Sequence, residues 1–331
     1  MTTTQPKPDR VLQLINGYWA TGIVGAAASH SLFTHLDAGA DTAGRLAEKA
    51  GISERGAQTL LDGLVSLGLV EQHDGGYRNT PEATAFLVDG APASLSDFAQ
   101  LKLGHMGGLT ALPDVVRAGG PVTDATVEVA DNPHWENVVQ AIAAQSVPVA
   151  TIAADLLRLS DAGEISILDI GGGSGVYSGI WLERNPAARS TQLDWAPINA
   201  IARRLLADRG VADRFRCVDG DFHTTDFGTG YDLAVYSHIA HQEGPEDNIA
   251  LFTRLRDALK PGGTLVINDY VVDDDRDGPP FPLLFASEML LKSKQGGTWR
   301  RADYHLWLTK AGFEDITFHP TPSPATLVLA R

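Results

Sequence analysis

From Ile165 to the end, the chain repeats one pattern in which a short apolar run is followed by a helical stretch. The runs are ISILDIG, STQLDW, FRCVDGD, YDLAVYS, TLVINDYV, ITFHP and ATLVLAR. Between them lie segments such as VYSGIWLERN, APINAIARRLLADRG, NIALFTRLRDALK and RADYHLWLTKAG. Strands alternating with helices of this length predict a parallel sheet covered on both faces, because a parallel pair needs a crossover long enough to contain a helix. PTPSPA alone separates the last two runs and is too short for such a crossover. They are expected to pair antiparallel, which adds one reversed strand to an otherwise parallel α/β sheet.

The N-terminal part reads differently. RVLQLINGYWATGIVGAAASHSLFTHL is apolar and small-residue-rich, and Gly22, Gly25 and Ala26 to Ala28 permit close helix approach. Leu46, Ala47 and Ala50 form one helical stripe, and Ala57, Leu60, Leu61, Leu64 and Val65 a second, capped by Ser53 with Glu54 and ended at Gly68. VEQHDGGYRNT follows as strand, turn, strand. This is a winged-helix order, yet Arg55 is the only basic residue in the recognition position, and the whole chain carries 26 basic against 41 acidic side chains, a net charge of -15. Phosphate binding draws on clustered Lys and Arg, so neither nucleic acid nor an anionic membrane is an expected partner. No stretch approaches the roughly 18 apolar residues of a spanning helix, and MTTTQPKPDR lacks the order of a secretory signal. Cys217 is the only cysteine, which excludes a disulfide framework within one chain and points to the cytoplasm. Residues 95 to 160 read as helical, with loop chemistry in GGPVTDATVEVADNP and a stripe of Trp135, Val138, Val139 and Ile142 after it. The expected division is a winged-helix-like domain over 1–95, a helical connector over 96–160, and the sheet domain over 161–331.

The sheet domain carries a glycine loop. ILDIGGGSG puts Asp169 near a strand end and Gly171, Gly173 and Gly175 before a helix that starts near Val176, where backbone N–H groups and a helix terminus can meet a ligand. The spacing is Gly-x-Gly-x-Gly; the dinucleotide fingerprint fails because Val176 stands where its third glycine belongs. Asp194 closes the next strand, where a carboxylate can accept two ribose hydroxyls. GDF at 220 to 222 closes the third.

With these signals in register, and LKPGG ahead of the fifth strand, the chain resembles the class I S-adenosylmethionine (SAM)-dependent methyltransferases. Within them it is similar to the small-molecule O-methyltransferases of bacterial natural-product and plant phenolic metabolism. The resemblance covers nearly the whole chain. It implies a Rossmann-like sheet and a homodimer formed through the 1–95 domain, with Tyr18 and Trp19 either reaching the partner's pocket or packing in the interface. For SAM, and its product S-adenosylhomocysteine, it implies Asp169 at the methionine ammonium, and Gly171, Gly173 and Gly175 along the methionine and ribose. Asp194 and Trp195 would lie at the ribose, Asp221 and Phe222 at the adenine, and Ser237 at the end of the fourth strand.

SHIAHQEGPED follows that strand. A histidine titrating near neutrality suits proton removal from an acceptor hydroxyl, and the resemblance places the base at His241, with Asp269 of INDYVV as the carboxylate that orients it. Two departures stand out: Gln242 and Glu243 replace the family's Asp-Trp, and the second supporting acid is absent where TWRRAD runs from Thr298 to Asp303. His238 with His241 invites a metal reading, but the pair sits at a strand end without a further His or Cys, so no metal is expected. His105, Met106, Trp135, Phe285, Met289 and Lys292 are the expected acceptor contacts. The expected activity is methyl transfer to a small aromatic or polyketide-like natural-product acceptor, on oxygen. The alternatives are C- or N-methylation on the same fold, a SAM-binding protein that transfers no methyl group, or a winged-helix ligand-responsive regulator.

Overall fold

The computed structural model describes residues 6–123 and 132–331. Part of the expected loop GGPVTDATVEVADNP, residues 124–131, lies outside them. The chain forms two compact units, residues 1–107 and 108–331. Ser96–His105 therefore belongs with the first unit.

That unit is helical with one two-stranded wing. Leu32–Asp37, Ala43–Ala50 and Glu54–Ser66 precede the antiparallel strands β1 (Val70–His73) and β2 (Gly76–Asn79). Thr42, Ser53 and Thr80 each accept a backbone N–H at a helix start, as capping residues do. Leu32, Phe33, Leu46, Leu61 and Leu64 are fully buried between the helices. The small residues act as expected at one crossing. A Cβ on Gly25 of Tyr18–Ser29 would stand 2.6 Å from Leu103 Cβ of Ser96–His105, so only glycine permits that approach. Asp9–Ile15 buries no residue, and Tyr18 and Trp19 are 56% and 57% exposed.

The second unit is built on a seven-stranded sheet in the order β5-β4-β3-β6-β7-β9-β8. Its strands are β3 (Ser166–Ile170), β4 (Arg189–Asp194), β5 (Phe215–Asp219), β6 (Tyr231–Ser237), β7 (Leu259–Asp269), β8 (Ile316–Pro320) and β9 (Thr326–Ala330). β3 to β7 run parallel, and β9 is antiparallel to both β7 and β8, the reversed strand that the short PTPSPA link requires. Alternation splits the core across the sheet. Leu233 and Val235 face a cluster with Trp181 and Leu206, and Ala234 and Tyr236 face Phe252 and Leu308 on the other side. Sequence order reverses between β3 and β6, which opens a crevice at the carboxyl ends of the strands. Asp194, Ser237 and Asp269 end β4, β6 and β7 at that edge.

Among the described residues no single helix is long and apolar enough to cross a membrane. The apolar pair His134–Ala141 and Ala143–Leu156 is bent by 54°, and Val149, Ala150 and Ala153 of its second helix pack into the core beside Trp181.

Candidate active site

The glycine loop is a left-handed turn. Gly171, Gly173 and Gly175 have φ of 57°, 58° and 75°, a region costly for residues with a Cβ. A Cβ on Gly175 would also lie 2.8 Å from Leu206 Cδ1. Buried polar side chains hold the turn in place. The Gly173 and Trp195 backbone N–H groups donate to the two oxygens of Asp194 at 2.9 and 2.7 Å. Gln192, fully buried in β4, donates to the Gly173 carbonyl at 3.0 Å and to Asn199 at 3.1 Å. Asn199 in turn donates to the Asp194 and Val218 carbonyls and to Asp219. Gln192 and Asn199 escaped sequence reasoning. The one signal was a glutamine at a core-facing position of a strand.

Burial pushes the Asp169 carboxyl up to about 7; the Ser178 hydroxyl, which donates at 2.7 Å, opposes this and the charge of Asp194 adds to it. Burial likewise pushes Asp194 up to about 6, against the two N–H groups that donate to it. Two neighbouring carboxylates out of water are costly without a partner. They border a cavity of about 460 Å³, lined also by Gly171, Gly173, Trp195, Asp221, Phe222 and Ser237. Every expected cofactor residue except Gly175 therefore meets in one cavity, and Gly175 starts the helix behind it. Trp135 lines this same cavity, beside Val138 and Val139.

His241 stands next to it. Its ring is 6.0 Å from that of His238, which lines the cavity. His241 Nδ1 lies 2.6 Å from Asp269 Oδ1, and both residues are buried. Asp269 also accepts the backbone N–H groups of His241 and Tyr270 at 3.0 and 2.7 Å. Burial acts to raise this carboxyl, yet the His241 charge and hydrogen bond hold it below its usual range. An ionised Asp269 places the proton on Nδ1 and leaves Nε2 as the acceptor. Phe285 meets the His241 ring edge-on at 5.0 Å, Tyr270 stacks on it at 5.7 Å, and Phe281 lies 4.9 Å from Tyr270. Tyr270 and Phe281 were missed because aromatic residues carry no spacing signal of their own. Met289 is buried on the helix Pro280–Lys292, and Lys292 pairs with Glu288 at 2.8 Å. His105 and Met106 belong to the first unit.

Three hydrogen bonds from residues 293–299 hold the His241 loop. The Trp299 indole N–H donates to the Ala240 carbonyl at 2.9 Å, the Gly297 N–H to that of His241 at 2.9 Å, and the Ser293 hydroxyl to that of Gln242 at 2.8 Å. His238 sits at φ 58°, its Nε2 3.1 Å from the Asn268 amide, and burial pulls its imidazole down to about 4. It is neutral at physiological pH. Ligand atoms of His238, His241 and Asp269 lie within 4.8 Å of one another, but His241 Nδ1 and Asp269 are already engaged with each other.

Residues 126–314 match the model of an O-methyltransferase domain, and residues 12–89 that of an O-methyltransferase dimerisation domain. The chain belongs to the O-methyltransferase family. It is 32% identical to 3-hydroxy-5-methyl-1-naphthoate 3-O-methyltransferase of Streptomyces sahachiroi, over 93% of this chain and 90% of that protein. It is 29% identical to the tetracenomycin polyketide synthesis 8-O-methyl transferase of Streptomyces glaucescens, over 98% and 96%. The fold matches the crystal structure of human N-acetylserotonin methyltransferase in complex with SAM, with a TM-score of 0.85 at 24% identity over 100% and 99% of the two chains.

This O-methyltransferase-family chain is a SAM-dependent enzyme, and its cavity fits that cofactor. The glycine turn leaves little room for Cβ atoms, and the buried Asp169 and Asp194 carboxyls border the cavity beside it. A cationic amine beside Asp169 would offset the cost of burying its charge.

Proposed function

We propose that the enzyme methylates a hydroxyl of a planar aromatic natural-product acceptor, with His241 as general base and Asp269 as its orienting partner. The observation that carries this reading is the buried 2.6 Å His241–Asp269 contact, set among Tyr270, Phe281 and Phe285. SAM supplies a methyl group on a sulfonium whose departure as neutral S-adenosylhomocysteine drives the transfer. His241 Nε2 takes the hydroxyl proton while the oxygen bonds to the methyl carbon, and the imidazolium is stabilised by Asp269. The aromatic rings exclude water and stack on a flat acceptor. The substrate named for one bacterial relative, a 3-hydroxy-5-methyl-1-naphthoate, is a flat hydroxylated aromatic. The dimerisation domain supports a homodimer, and the exposure of Tyr18 and Trp19 is consistent with a place in its interface.

The test is methyl transfer from labelled SAM to a panel of hydroxynaphthoates and phenolic polyketides. His241→Ala is expected to lower turnover by about 10²- to 10⁴-fold while still binding SAM. Full turnover in the variant, or label on carbon or nitrogen, would refute base-assisted O-methylation.

A further inference from the structure

Glu243 stands two residues after His241. Its carboxylate meets His223 Nε2 at 3.2 Å. His223 follows Asp221 and Phe222 on the loop after β5, and all four side chains line the cofactor cavity. The pair therefore bridges two loops that the sheet topology keeps on different strands. The outer side of the β5 loop is fastened separately, since Arg254 donates to the carbonyls of Phe222, His223 and Thr225. On the cavity side the side chains are held by His223–Glu243 and by the packing of the His223 and Phe222 rings, 4.6 Å apart. Gln242 completes the connection by donating to the His238 carbonyl at 2.8 Å.

We propose that His223 and Glu243 form a clasp that positions Phe222 against the purine of the bound nucleoside and ties the adenine wall to the loop carrying His241. His223 is a positioning residue in this scheme: it acts through Phe222. The pair sits at the rim, with side-chain exposures of 42% and 14%, so opening it loosens the wall without emptying the core. The groups facing His223 are mostly acidic. Its hydrogen bond to Glu243 raises its pKa above the ordinary imidazole value, partial burial opposes this, and the charges of Glu243, Asp221 and Asp247 add to it; Arg254 engages the carbonyl side of the loop. The clasp is consequently charged and closed in mildly acidic solution and weakened as His223 loses its proton.

The probe is 5′-methylthioadenosine, which has the adenine and ribose but no ammonium or carboxylate to report on Asp169. Calorimetric titration of the full-length protein is expected to show about threefold to fivefold tighter binding near pH 6.5 than near pH 8.5, the scale of a partly exposed ion pair. His223→Gln and Glu243→Gln should each lose that dependence and bind about threefold to fivefold more weakly near pH 6.5, with the double variant no weaker than either. Because both side chains are at the rim, circular dichroism should match the parent. The proposal is overturned if wild-type binding lacks the alkaline loss, if His223→Gln keeps it, or if the two substitutions act additively. Failure of both 5′-methylthioadenosine and SAM to bind would overturn the nucleoside cavity together with the clasp; SAM binding with no effect of either substitution would overturn the clasp alone.

Discussion

Asp169 is 1% exposed and carries no salt bridge, so replacing it should stabilise the protein while impairing the cofactor site. Its carboxyl is raised from 3.8 to about 7. Between those values the folded chain holds a proton that the unfolded chain releases, so stability is greatest in acid and falls as pH rises through the window. A shift of about three units corresponds to roughly 4 kcal/mol at most. Asp169→Asn keeps an acceptor for Ser178 and removes the titration. Near pH 5, about one unit above the unfolded carboxyl's value, the variant should be more stable by at most about 1.6 kcal/mol. Near pH 8 the variant should be more stable by about 2–4 kcal/mol, or roughly 5–10 °C for a unit of this size. Thermal unfolding by circular dichroism at both pH values reads the difference directly. SAM adds a second arm: an ammonium beside Asp169 lowers its pKa, so saturating SAM should raise the wild-type midpoint more near pH 8 than near pH 5, and the variant's far less. A wild-type-to-variant gap equal at the two pH values, or a variant less stable near pH 8, would refute the assigned cost of this buried charge.

Two further substitutions test how the site is held. Gly175→Ala forces a Cβ into a φ of 75° and to 2.8 Å from Leu206, which should cost about 1–3 kcal/mol and weaken SAM binding; denaturant midpoints and calorimetry check both. Trp299→Phe leaves the Ala240 carbonyl without its indole donor, with an expected loss of about 1–2 kcal/mol and a lower turnover number against a nearly constant KM for SAM, whereas equal changes in both would contradict a role in placing His241.

The catalytic unit was legible because its signals are local. A strand's apolar run, a left-handed glycine turn and the short PTPSPA link each state a backbone requirement within a few residues, and together they predict the reversed strand between β7 and β8. Asp194 and Asp221 were expected at the cavity that they line because they fall at or just beyond a strand end, where alternation stops and the crevice begins. Side chains that act across the sheet were harder to read. Gln192 and Asn199 secure the glycine turn from the next strand and helix, and Trp299 reaches Ala240 across 59 positions.

His241 illustrates the division between the two kinds of information. From the sequence alone, its place after the fourth strand identified it as the base candidate, and Asp269 as its partner, by analogy with the family. Only the tertiary structure brought the imidazole and carboxylate to 2.6 Å and surrounded them with Tyr270, Phe281 and Phe285. Only it turned Glu243 toward His223, 20 residues earlier and on another loop. Hydrophobic period and turn chemistry act between neighbours and leave a trace in the order of residues, whereas a hydrogen bond between loops depends on where the sheet delivers each strand end, and no local pattern records that.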